Sequence, residues 1–312
     1  MRGAQRRGNL WYNLDYMTKI LVVINTLNEE ANLPLALASV KSFANEIVVV
    51  DMMSDDKTVE IAKKAGAKVY EFKRVGYVEP ARNFAISKAE GDWIFILDAD
   101  EELTASLSRE LSKIAKNGSA DYVRVPRKNM IFGKWVEHSR WWPDYNIRFF
   151  KKGKVTWDDE IHSIPITVGK GADLEAKAEN AIIHHHYTSV AQYVSRMDRY
   201  TSIQAESLIK SGYKFNWTDI PGKSFNEFLS RYLAGEGYKD GLHGLVLALL
   251  QATSELLVYV KIWEKNKFKE ENISPGEIRE EVGKVFLGLN HWMIAKKLQP
   301  KNPLSFLKKI FK

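Results

Sequence analysis

The segment Trp93–Asp100 reads WIFILDAD: five apolar residues in succession, then two carboxylates separated by one alanine. A short unbroken apolar run of this kind suits a strand buried on both faces, and so a parallel sheet covered by helices on each side. The same pattern precedes it. Ile20–Ile24 (ILVVI) is a β-branched run, Ile47–Val50 (IVVV) a second that ends at Asp51, and Lys68–Phe72 a third strand. Helical patterns separate them. Glu29–Ser42 is expected as a helix capped by Asn28 with Pro34 in its first turns, Lys57–Ala65 as one closed by Gly66, and Glu79–Lys88 as another. Repetition of strand and helix predicts an α/β fold, Rossmann-like, with a mostly parallel sheet and right-handed crossovers.

In such sheets ligands sit beyond the carboxyl ends of the strands. The polar residues that follow the strands are Thr26, Asn28 and Glu29, then Asp51, then Asp98 and Asp100, and all are expected to face one crevice. Two carboxylates at i and i+2 after a strand can reach one site, and hard oxygen ligands suit Mg²⁺ or Mn²⁺. A DxD triplet is common by chance; its place after a fourth parallel strand gives it weight. Asp51 can accept hydrogen bonds from a ribose hydroxyl or a base N–H. The other reading is a helix cap, a role open also to Ser54, Asp55 or Asp56. The first turn reads NTLNEE and holds no GxGxxG, which argues against a nicotinamide-dependent dehydrogenase.

Composition bounds the rest. The 312 residues are enough for one large domain, or a domain with an appendage. The absence of cysteine excludes disulfides, thiolate metal sites and a cysteine nucleophile, and fits a reducing compartment. Lys and Arg outnumber Asp and Glu by 46 to 39, an excess that suits a nucleotide diphosphate or phospholipid headgroups. No nucleic-acid-binding motif is present, and nucleic acid is not an expected partner. Residues 1–16 carry Arg2, Arg6 and Arg7 without a following apolar region, so they read as an extension ahead of Met17 and not as a secretory signal.

Beyond Leu103, Tyr122–Pro126, Ile147–Phe150 and Ile161–Val168 are expected as strands and Val190–Lys210 as a helix. Leu242–Trp263 is the most apolar segment and nearly matches the ~20 residues that cross a bilayer. It holds His243, Gln251, Glu255 and Lys261, so a packed or interfacial helix is expected ahead of a span. The tail Leu304–Lys312 (LSFLKKIFK) alternates apolar and basic residues, which suits either an anionic membrane surface or a solvated end.

Taken in order, these motifs resemble glycosyltransferase family 2 with the GT-A fold. The likeness runs through TLNEE, VVVD with SDDKT, Ala81-Arg82-Asn83 in EPARNFAI, and ILDADE. It continues through WWPDYNIRFFKKGKVTW, WDDEIHS, HHHYTSVAQYVSRMDRYTSIQA and GYKDGLHGLVLALLQATSELLVYVKIW, from Thr18 to Lys265. The later motifs look like the branch that includes lipopolysaccharide-core β-1,4-glucosyltransferases. The resemblance implies a GT-A catalytic domain over 17–189 and a helical C-terminal region over 190–312. Thr26, Asn28 and Glu29 would line the nucleotide pocket, Asp51 would meet the base or ribose, and Arg82 would lie near the diphosphate. Asp98 would contact the ribose or metal-bound water, Asp100 would be the direct metal ligand, and His162 or His186 would help hold the metal or diphosphate. The activity implied is a metal-dependent, inverting transfer from a nucleotide-sugar, a UDP-sugar being favoured, to a glycolipid or polysaccharide. The place implied is the cytoplasmic face of the cell membrane, as a peripheral protein on an anionic surface.

An inverting transfer needs a base for the acceptor hydroxyl. Asp144, Asp159 and Glu160 are candidates, with Asp144 ahead of Glu160. Related chains often carry His-Glu where this one has His162-Ser163, which removes one carboxylate. Trp135, Trp141, Trp142 and Trp157 flank these residues and suit sugar stacking or a core. Arg148 and the run Lys151–Lys154 suit an anionic acceptor or a solvated face. His184 and His185 read as structural. A non-catalytic nucleotide- or carbohydrate-binding module on the same fold is the alternative, and it predicts loss of the carboxylates that Asp98 and Asp100 retain. A nucleotidyltransferase would want a basic, glycine-rich first turn, and NTLNEE is acidic.

Overall fold

The computed structural model describes residues 18–74, 78–157 and 165–298. The chain divides into two compact units, Met1–Val125 with Asn146–Glu175, and Pro126–Tyr145 with Ala176–Lys312.

The first unit is built on the strands that the apolar runs predict: β1 (Ile20–Thr26), β2 (Glu46–Asp51), β3 (Lys68–Glu71) and β4 (Trp93–Asp98). They lie in the order β3-β2-β1-β4, all parallel. Helices α1 (Leu33–Val40), α2 (Thr58–Lys64) and α3 (Glu79–Lys88) make the crossovers, and α4 (Ala105–Asn117) follows β4. Leu21, Val23, Ile94 and Ile96 pack with Ala81, Ala85 and Ala89, small residues that let α3 and its end lie close on the sheet. Gly91 makes the turn into β4, where a Cβ would fall 1.6 Å from Leu21 Cδ1.

Two further strands each run from one unit into the other. β5 (Tyr122–Ile131) and β6 (Asp144–Lys151) are longer than the expected Tyr122–Pro126 and Ile147–Phe150. Pro126 does not end β5, because its missing N–H falls between two ladders. Tyr122–Arg124 pair with Gly171–Asp173, and Arg127–Asn129 pair with Ile182–His184. β6 runs antiparallel to β4 and stacks Phe149 on Trp93 at 4.4 Å. Of the expected strand Ile161–Val168, Ile166–Thr167 pair with Val155–Thr156, and 161–164 lie outside the described residues.

One cap is corrected. Asn28 does not start a helix at Glu29; α1 begins at Leu33, with Asn32 at its N-cap. Asn28 has a left-handed φ of 57°, which turns the chain away from a helix start, and its Oδ1 accepts from the Asp55 N–H at 2.7 Å. The side chain is spent on joining two loops.

The second unit contains β7 (Ile182–Tyr187), parallel to the far half of β5, then α5 (Val190–Lys210), α6 (Asp219–Leu229), α7 (Leu242–Lys265) and α8 (Pro275–Ala295). Residues 126–145 and 176–189 belong to this unit, where β7 pairs with the second half of β5. By length and composition α7 could cross a membrane. It buries Leu247, Ala248, Val258, Tyr259 and Ile262, and Lys261 and Gln251 find partners inside the unit, while burial pushes the Glu255 carboxyl up. Lys261 Nζ donates to Asp198 Oδ1 at 2.6 Å and to Thr201 Oγ1 at 2.9 Å, and Gln251 Nε2 donates to the Tyr193 hydroxyl at 2.5 Å.

Candidate active site

Thr26 and Asp51 end adjacent parallel strands and sit opposite each other in register. Both are buried. Thr26 Oγ1 donates to Asp51 Oδ1 at 3.0 Å, and Ser54 gives that oxygen its hydroxyl at 2.6 Å and the other oxygen its N–H at 2.8 Å. The Asn28 N–H donates to Ser54 Oγ at 2.8 Å, and the Glu29 N–H donates to Thr58 Oγ1 at 2.8 Å. The Glu29 carboxylate accepts from Asn32 Nδ2 at 2.7 Å. The loops after β1 and β2 are thus tied into one rim by the residues the sequence singled out. Thr26 spends its hydroxyl on orienting Asp51 instead of presenting it to solvent.

A four-charge network closes the end of β4. Arg82 Nη2, carried by α3, donates to Asp98 Oδ1 at 3.1 Å, and Arg148 Nη2, carried by β6, donates to Asp98 Oδ2 at 2.6 Å. Arg148 also donates to Glu101 Oε1 at 2.6 Å, while Glu101 Oε2 accepts from the Asp98 N–H at 2.9 Å. Arg148 is 3% exposed and Glu101 0%, so two guanidinium groups and two carboxylates balance inside the protein. This corrects the expectation for Arg148, which is neither acceptor-facing nor solvated; the register of β6 on β4 sets it beneath the strand end. The lysines after it are also committed in part: Lys151 pairs with Asp121 and Lys152 Nζ donates to the Ala89 carbonyl.

Asn83, next to Arg82, fixes the approach to Trp157. Its Nδ2 donates to the Trp157 carbonyl at 2.6 Å, and the Trp157 N–H returns a bond to its Oδ1 at 3.0 Å. The Arg82 guanidinium then lies 5.8 Å from the Trp157 ring. Arg82 keeps a buried Nε without a partner. So does Asn25, 7% exposed, whose amide nitrogen and oxygen both lack one. Asn25 is the register partner of Asp98 and shares its face of the sheet. Sequence reading missed Asn25; a lone amide ending an otherwise apolar strand was the available signal.

The residues suit a divalent ion of the expected kind. Among the described residues no group of three or more His, Asp or Glu side chains is placed to hold a metal. Mg²⁺ and Mn²⁺ need only one or two carboxylates when phosphate oxygens and water complete the shell. Asp100, partly exposed in the turn after β4, offers such a carboxylate beside Asp98. His162, Asp159 and Glu160 lie outside the described residues.

In the second unit Asp144 opens β6. Arg127 Nε and Nη2 donate to its Oδ2 at 3.0 and 2.5 Å, and Asn129 Nδ2 donates at 3.2 Å. Burial alone would raise this carboxyl; Arg127, Asn129 and His184 together hold it below its ordinary value. Asn129 Oδ1 lies 2.7 Å from His184 Nδ1, and an amide oxygen only accepts, so His184 carries its proton on Nδ1. His184 Nε2 lies 3.2 Å from His186 Nδ1. The structural reading of His184 gains a definite form here, a buried link between Asn129 and His186. Trp141 gives its carbonyl to Asn129 at 2.8 Å, while the indole nitrogens of Trp141 and Trp135 are buried without partners. Arg127 and Asn129 were also missed; they stand two apart on one face of β5, a spacing that two strand residues sharing a partner require.

The sequence model of Glycosyl transferase family 2 matches residues 21–169. An uncharacterized glycosyltransferase of Rickettsia typhi is 33% identical over 257 residues, covering 80% of this chain and 88% of that one. A lipopolysaccharide core biosynthesis glycosyltransferase of Rhizobium meliloti is 26% identical, covering 78% and 91%. The crystal structure of S. aureus TarS is 17% identical with a TM-score of 0.44, covering 83% of this chain and 95% of that one.

Proposed function

The chain belongs to glycosyltransferase family 2, and from that premise we propose that it moves a sugar, with inversion, from a UDP-sugar to a glycolipid or polysaccharide at a membrane surface. The observation that carries the reading is Arg82: a guanidinium oriented by Asp98 at the carboxyl edge of a parallel sheet, with a buried N–H left over. An anionic diphosphate supplies the acceptor atoms that this N–H lacks. Asp51, held by Thr26 and Ser54, keeps a fixed carboxylate to accept from a ribose hydroxyl or base N–H.

Asp100, with Asp98 acting through water, would hold the divalent ion, whose chemistry is to neutralise charge on the departing nucleoside diphosphate. Arg82 shares that charge from the protein side, and its bond to Asp98 keeps it from turning away. The acceptor proton goes to Asp144 in this reading, ahead of Glu160. Arg127 keeps Asp144 ionised at neutral pH, which a base requires, at some cost to its proton affinity.

Two experiments test this. A thermal-shift panel of UDP-, GDP-, ADP- and CMP-sugars with and without Mn²⁺ should show a Mn²⁺-dependent rise for the UDP-sugars. Asp100→Asn keeps side-chain size while removing charge, and should lower turnover by about 100-fold or more with little loss of stability. Wild-type turnover in that variant would remove Asp100 from the metal.

A further inference from the structure

The helix α8 (Pro275–Ala295) is the most exposed of the long helices in the second unit: it has no fully buried residue. It begins firmly. Ser274 Oγ accepts from the Glu277 N–H at 3.2 Å, and the Glu277 carboxylate returns a bond to the Ser274 N–H at 2.8 Å. One side rests on α6, where Gly288 comes so close that a Cβ would fall 3.1 Å from Leu229 Cδ1. Beside that contact runs a stripe of Ile278, Val282, Phe286 and Leu289, spaced i, i+4, i+8 and i+11, and all of them exposed. Phe286 is 66% exposed and Leu287, further round the helix, 72%. Single exposed apolar residues need no explanation, but a stripe of them along one helix does.

Charge says what covers it. From Val282 to Lys312 the sequence contains seven lysines and no Asp, Glu or Arg. That equals the net charge of the whole protein, +7, so the 281 residues before it carry as many acids as bases. Lys284 and Lys296 pair with Glu281 and Glu236; the other lysines begin at Lys297. A second copy of the chain would add the same lysine excess and no acidic complement from this stretch, which disfavours it as the partner. A surface both apolar within and anionic at its boundary satisfies the stripe and the lysines together.

We infer that α8 is a docking face for an anionic lipid surface, with the stripe from Ile278 to Leu289 entering the headgroup boundary and the lysine excess of the sequence after Glu281 giving the preference for anionic headgroups. This rests on the glycolipid reading for its purpose, but its test does not. Full-length protein is centrifuged with vesicles of phosphatidylcholine, with or without phosphatidylglycerol. The wild type should bind the anionic vesicles, release as salt rises, and leave the neutral vesicles largely unbound. Phe286→Glu should lower the partition coefficient by about tenfold or more while the UDP-sugar thermal shift stays unchanged. Val282→Ser is a milder companion, expected to weaken binding several-fold, should the first variant fail to fold. Equal binding to neutral vesicles would overturn the inference. So would undiminished binding of both stripe variants, or binding lost only when residues 299–312 are deleted. A dimer in solution that Phe286→Glu dissolves, with no vesicle binding by the wild type, would assign the stripe to self-association instead. If vesicle binding holds and no nucleotide-sugar shifts the melting point, the docking face stands and the transferase reading falls.

Discussion

Asp98 and Asp144 are two strand-end aspartates held by arginine, and their surroundings differ in a way that separates structure from chemistry. Among the described residues Asp98 meets two guanidinium groups and, through Arg148, a second carboxylate, with Arg148 and Glu101 both buried. Among the described residues Asp144 meets Arg127 and the amide of Asn129, and behind Asn129 come His184 and His186. Opposed charges that bind one another inside the protein fail together when one member is removed. A carboxylate held by a guanidinium and an amide instead has its proton affinity set by them.

The largest effect expected from this contrast is on stability. Arg148→Met removes the guanidinium that pairs with buried Glu101 and with Asp98, which should cost about 3–5 kcal/mol in urea unfolding. Adding Glu101→Gln should recover part of the loss, because the stranded charge is then gone. A cost under about 1 kcal/mol would mean that the network is looser than its geometry, and the contrast with Asp144 would disappear.

Next in size is a change in pH dependence. Arg127→Met removes a cause that lowers the Asp144 carboxyl, so its folded-state value should move up. In the wild type the value is depressed, so Asp144 contributes stability above the ordinary carboxylate range, and this is lost as pH falls through the lower folded value. The variant should therefore lose that contribution at neutral pH and show less acid sensitivity below about pH 4. If Asp144 is the base, the acid limb of the kcat/KM profile moves to higher pH in the variant. An acid limb that stays in place would break the assignment and leave the contrast one of stability alone.

The same two clusters mark how far sequence reading reaches. β1, β2 and β4 were legible because unbroken β-branched and aromatic runs have few other solutions, and α3 and α5 were placed to the residue. The rim around Asp51 was legible as a set, since polar residues after parallel strands must share an edge. Asn28 was misread because a capping residue and a left-handed loop residue share the same preferences, and only backbone φ separates them. Arg148 was misread for another reason. It precedes a lysine run and looks solvated, and only the pairing of β6 with β4 buries it. Arg127 and Asn129 meet Asp144 across 17 and 15 residues, a contact no local pattern announces.

The smallest effect concerns the groups left without partners, Asn25 in the first unit and the Trp141 indole in the second. A buried amide with both atoms unsatisfied costs about 1–3 kcal/mol, so a protein that keeps one without use is less stable than it needs to be. Asn25→Val replaces the amide with an apolar group suited to a central strand, and should raise stability by about 1 kcal/mol. If the amide waits for the donor, the same variant should raise the KM for the UDP-sugar several-fold and leave kcat nearly unchanged, the pattern of binding lost equally from ground and transition states. Trp141→Phe should likewise leave stability close to wild type, because the lost indole N–H had no partner, and should raise the KM for the acceptor if that N–H meets the sugar. A fall in stability on Asn25→Val with an unchanged donor KM would show that the amide is satisfied within the resting protein. Asn25 would then belong with Glu101, as part of what holds Asp98 in place.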